Sequence, residues 1–131
     1  MSIELFKPWI PIENLPFVAY VEALRDDDEG IRTLLRGKEA HASVFRIAFE
    51  SVVAYRNVNE SFRVATWAAI GNMRKLPTLL TAENSRWIEW LVAEAGGVLR
   101  ADALTHYAIY SPEDCIDIVS EFPPEVEWLN P

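Results

Sequence analysis

The sequence predicts an α+β domain: an antiparallel β-meander sheet of five to six strands with one main α-helix packed on it. Three observations carry this. Residues 44–56, VFRIAFESVVAYR, alternate with period two, the pattern of a strand with one face on a core and one in water. Shorter alternating runs follow one another, separated by polar turns rich in aspartate, glycine and proline. One segment, residues 84–95, carries the cap, apolar stripe and stop signal of a helix.

Along the spine segment, Phe45, Ile47, Phe49, Val53 and Tyr55 point one way, and Arg46, Glu50 and Arg56 the other. At ~3.3 Å per residue it would reach about 43 Å, beyond the ~36 Å diameter of a compact domain this long. It must therefore bend, near Ser51, or reach past its own domain. Before it, residues 1–16 contain Pro8, Pro11 and Pro16, which exclude a helix interior or a central strand. They read as an extended N-terminal arm whose Phe6, Trp9 and Ile10 lie on the domain or on a neighbour. Residues 17–24 fit either a helical stripe or a strand face. The acidic turn Asp26-Asp27-Asp28-Glu29-Gly30 and the strand-like 31–35 favour a hairpin. Turns at 37–41 and 57–60 lead into the spine and then into 62–67, completing a four-strand meander.

After a break at 71–77, Asn84 or Ser85 caps the helix, Glu83 suits its positive end, and Gly96-Gly97 stop it. Trp87, Ile88, Trp90, Leu91, Val92 and Ala95 spread over a wider arc than a helix on a sheet needs. Residues 104–110 and 115–120 are strand-like. Between them Ser111-Pro112-Glu113-Asp114 suits a type I turn, with a short capped helix as the competing reading. Pro123-Pro124 end this run, and 125–129 form a short edge strand or a docked tail.

The 131 residues make a single domain, with half of them hydrophobic and so enough to fill a core. A net charge of −8 argues against nucleic acid and anionic membrane, both of which are held by Lys and Arg. It would steer in a basic protein partner. A single cysteine, Cys115, excludes an internal disulfide and suits a reducing compartment. The start has no signal-peptide pattern, and no apolar run approaches the ~20 residues that span a bilayer. A soluble, cytoplasmic protein is the expectation.

Candidate chemistry is sparse. The acidic turn at Asp26 puts glycine and glutamate at the wrong offsets for a calcium loop, so no metal is expected. Cys115, His106 and Asp114 could be cast as nucleophile, base and orienter, but a hairpin turned at 111–114 holds His106 far from the thiol. Cys115 then reads as a small hydrophobe. There is no phosphate loop, HExxH or CxxC pair, so no catalytic or cofactor-binding residue is assigned and no enzyme is expected. Tryptophan is the stronger signal, with five in the chain. Trp9, Trp87, Trp90 and Trp128 are the interface candidates, Trp90 and Trp128 foremost; the competing reading is that they fill the core.

Two stretches, FRIAFESVVAYRNVNES from Phe45 and ENSRWIEWL…LTHYAIYSPEDCIDIVSEFPPEVE from Glu83, resemble small uncharacterised bacterial proteins, some of them similar to immunity proteins of polymorphic toxin systems. The likeness covers about half the chain. It implies a small α+β protein that works by binding, and it carries no functional residue over. The leading expectation is a non-enzymatic binding protein with an acidic, aromatic surface, of a type that neutralises a basic toxin domain. The alternatives are a small-molecule-binding domain or enzyme with a pocket between sheet and helix, and a self-assembling structural protein. A homodimer is also expected, from the long spine strand, the wide helical arc and the Pro- and Trp-rich arm and tail, because pairing two copies would cover an otherwise open sheet face.

Overall fold

The computed structural model describes residues 3–39, 43–71 and 75–129. The fold is α+β, with nine strands in two antiparallel sheets and two α-helices among the described residues. The strands are β1 (Leu5–Pro8), β2 (Tyr20–Asp27), β3 (Gly30–Arg36), β4 (Val44–Phe49), β5 (Ala54–Asn59), β6 (Leu79–Glu83), β7 (Thr105–Tyr110), β8 (Asp114–Ser120) and β9 (Glu125–Trp128). The helices are α1 (Val64–Ile70) and α2 (Arg86–Glu94). One sheet runs β1-β6-β7-β8-β5 and the other β2-β3-β4-β9. No helix among the described residues is long and apolar enough to cross a membrane.

Of the two outcomes its length allowed, the spine segment takes the bend. β4 ends at Phe49, residues 50–53 turn, and β5 begins at Ala54 in the other sheet. The bend makes the fold two-layered: Phe45, Ile47 and Phe49 from β4 meet Tyr107, Ile109, Ile116 and Ile118 of β7 and β8 in one core. Phe49 and Tyr107 touch edge to face across the sheets, with ring centroids 5.1 Å apart. Val53, expected in this core, is only half-buried, and Val52 packs against the core in its place. The extra turn residues break the period-two register there.

Hence one sheet of five to six strands is corrected to two. The second sheet covers the face that seemed to call for a second copy. The arm contributes as well: β1 is an edge strand on β6, ending at Pro8 as an edge strand can, and Trp9 packs against Tyr107 at 5.0 Å. Two grounds for a homodimer, the long strand and the open face, are thus met within one chain.

Residues 62–67 are corrected from strand to helix. Their alternation would put Phe62 and Val64 on a core, yet these are 79% and 71% exposed. Trp67 and Ile70, spaced i and i+3, make the contacts, packing against a cluster of Leu80, Ala108, Tyr110 and Cys115. β6, unmarked in the sequence, follows the break at 71–77, part of which lies outside the described residues, as does part of the turn at 37–41.

The remaining local signals place their elements. Ser85 caps α2, its Oγ accepting from the Ile88 N–H at 3.1 Å, and Gly96 beyond the helix takes φ +62°. Ser111 closes the β7–β8 hairpin, its Oγ accepting from the Asp114 N–H at 3.0 Å. β9 pairs with β4 as the expected edge strand.

Two substitutions test the inter-sheet core by chemical denaturation. Phe49→Ala should cost about 3–5 kcal/mol by opening a cavity. Thr33 is fully buried on β3, with no hydrogen-bond partner for its hydroxyl among the described residues. Thr33→Val keeps the shape and removes the unpaired group, so stability should rise by about 1 kcal/mol.

Candidate functional site

The hairpin of β7 and β8 is buried on both faces. Its inner side chains fill the core between the sheets. Its outer ones, His106, Ala108, Tyr110, Cys115 and Asp117, lie beneath α1, α2 and β1. Asp117 stands between Ile116 and Ile118 and is fully buried. A carboxylate there costs several kcal/mol unless hydrogen bonds and opposite charge compensate it.

Four donors do so. Oδ1 accepts from His106 Nε2 at 2.7 Å and from the Tyr110 hydroxyl at 2.5 Å. Oδ2 accepts from Arg63 Nη1 at 2.8 Å and Arg56 Nε at 3.0 Å. Burial alone would raise the Asp117 pKa; His106, then Tyr110 and Arg63, outweigh it and hold the group at about 2. Burial, reinforced by Asp117, raises the Tyr110 hydroxyl well above its ordinary value. Burial would lower Arg63, but its contacts with Tyr110 and Asp117 raise it on balance.

The network extends to α2. His106 Nδ1 lies 2.7 Å from Ser85 Oγ, the cap of that helix. Ser85, His106 and Asp117 thus line up in the order of a hydrolytic triad. The serine is buried, and its oxygen is held as the helix cap that accepts from the Ile88 N–H. The row ties helix to sheet, and burial keeps the serine oxygen out of a substrate's reach.

Over this network lies an open cleft of about 460 Å³. The sheet side supplies Phe6, Arg56 and His106, and α1 supplies exposed Ala65 and Ala69 with Thr66. From α2 come Arg86, Trp87 and Trp90, and Arg63 and Glu4 complete the lining. The Arg56 guanidinium lies over the Trp87 ring, 4.4 Å from its centroid. Trp90 is 57% exposed.

Of the four candidate tryptophans, Trp87 and Trp90 meet in this cleft. Trp9 and Trp128 do not reach it. Both are half-buried against the core between the sheets, Trp128 at 5.5 Å from Phe45. Cys115 faces the α1 cluster, and burial pushes its thiol up to about 11, the reverse of a nucleophile's tuning. It pairs opposite Tyr110, four residues along β7 from His106, and Asp114 is engaged with Asn57. No group of three or more His, Cys, Asp or Glu among the described residues could hold a metal ion.

Asp117, Arg63 and Arg86 were missed from sequence. Asp117 carried a usable signal: an acid between two isoleucines in a strand must find cations or be expelled. Comparison with protein-family models, with curated proteins and with solved structures gave no match to this chain.

Replacing the carboxylate should show its weight. Asp117→Asn leaves Arg63 buried without its counter-charge and should cost about 3–5 kcal/mol at pH 7. The Asp117 pKa is depressed from 3.8, so its ionic contribution is present above pH 3.8 and lost as pH falls through 2. In denaturation runs from pH 5 to pH 2, the gap between wild type and Asp117→Asn should narrow by on the order of 2 kcal/mol.

Proposed function

We propose that the chain is a non-enzymatic binding protein and that its binding site is the cleft between α1 and α2. The observation that carries this reading is Trp90, a large ring held 57% in water beside half-buried Trp87 and the exposed alanines of α1. Such a ring gains burial only when something enters the cleft. The burial of Ser85 as the cap of α2 and the raised Cys115 thiol favour binding over turnover. This is the small-ligand alternative of the sequence, with the pocket lying between helices and sheet.

Fragment screening by ¹⁵N NMR tests the site, because the Trp87 and Trp90 indole N–H signals should move with any ligand that enters. Trp90→Ala should weaken such ligands about tenfold, the effect of losing one aromatic anchor, while changing stability by less than about 0.5 kcal/mol. A tight ligand that moves neither indole overturns the assignment.

A second reading, an immunity-type protein that meets a basic protein domain, is favoured by one further observation. A cleft of about 620 Å³ between the β2–β3 turn, the end of β4 and the β8–β9 link brings together Glu29, Glu50 and Glu125 with Phe122, which is 67% exposed. A basic partner seated there should associate much more slowly as salt rises from about 0.05 to 0.5 M. Phe122→Ser should weaken that complex and Trp90→Ala leave it unchanged; the opposite result returns the partner to the tryptophan cleft.

A further inference from the structure

We infer that the ligand of the cleft between α1 and α2 is a small molecule joining an aromatic ring to an anionic group, a carboxylate or phosphate. The inference rests on that cleft being the binding site. The acid sits on Arg56 and Arg86, the ring against Trp87 and Trp90.

Arg56 is the main reason. Its Nε is tied to Asp117 and its guanidinium plane to the Trp87 ring, so the position of the fork is set before any ligand arrives. Yet the side chain is 40% exposed, and neither Nη1 nor Nη2 has a hydrogen-bond partner among the described residues. A guanidinium fixed at its inner edge presents its outer edge as a planar pair of donors, the geometry that matches carboxylate and phosphate oxygens. Little side-chain entropy is left to lose on binding.

Arg86 adds the second cation. It opens α2, lines the same cleft, and its side chain is exposed with no partner among the described residues. Its backbone N–H is already taken by Glu4 at 2.8 Å, so the guanidinium, and not the helix end, is what it offers. Arg56, Arg63 and Arg86 stand against Asp117 and Glu4, leaving one positive charge in excess within a chain of net charge −8. The acidic groups elsewhere are screened beyond about 8 Å at physiological salt, so the local sign governs the bound ligand. A neutral ring would bury that excess positive charge without compensation, and a cationic one would meet it directly. The volume, about 460 Å³, lies in the range of small-molecule sites.

Three probes of one shape test the inference on the full chain: 2-naphthoate, 2-naphthyl phosphate and neutral 2-naphthamide, titrated by calorimetry and by the two indole N–H signals. At least one acid should bind about tenfold or more tightly than the amide at low salt, with the preference shrinking at about 0.5 M salt. Whichever acid binds more tightly identifies the natural anionic group. Arg86→Gln removes no side-chain hydrogen bond or ion pair among the described residues, so it should fold normally and reduce the preference several-fold. Arg56→Gln should abolish the preference, and Arg56→Lys should restore little of it. Equal affinity for acid and amide, with both indoles moving, would overturn the anionic ligand and keep the cleft as the site. No indole movement with any probe would overturn both.

Discussion

The outer half of this protein depends on one buried carboxylate. Asp117 sits in the middle of β8, shielded from solvent, and can stay ionised only if donors converge on it. They come from separate elements: Arg56 from β5, His106 and Tyr110 from β7, and Arg63 from the turn that starts α1. Satisfying the charge therefore fixes β5 at the sheet edge, seats α1 over Tyr110 and, through His106 and Ser85, anchors the first turn of α2. A polar requirement at a single atom pair thus helps to orient three elements.

The inter-sheet core is a separate problem with a separate solution. There Phe45, Phe49, Tyr107 and the isoleucines of β8 interdigitate without buried charge. The bend after Phe49 divides the labour. It lets one continuous stretch supply the core of one sheet through β4 and the cation of the other through Arg56 on β5. β7 and β8 join the two regions, apolar on their inner face and polar or aromatic on their outer one.

Stability and recognition also share residues unequally. Arg63, with its side chain only 10% exposed, commits a donor from each of its three nitrogens to Thr66, Asp117 and Tyr110. Arg56 makes one bond inward and keeps its outer edge free. The difference between an arginine that holds the fold and one that can hold a ligand is here a matter of how many of its donors the fold consumes.

The sequence by itself determined the elements whose causes are local. Period two marked β3, β4, β7 and β8; Ser85 and Gly96 bounded α2; Ser111 and Pro112 turned the last hairpin; Pro8 marked a segment fit only for an edge. Length alone required the spine to bend or to reach past its own domain, and the structure shows the bend. Tertiary structure decided the rest. Residues 62–67 satisfy helix and strand patterns alike, and only the contacts of Trp67 and Ile70 with the outer sheet face choose between them. Two sheets replaced one because the pattern of a strand reports that a face is covered, never by what. The same limit sorted the tryptophans, sending Trp9 and Trp128 toward the core and Trp87 and Trp90 to the cleft. Asp117 was visible as an anomaly, but its cations stand 54 and 61 residues away along the chain, and only folding brings them within 3.0 Å.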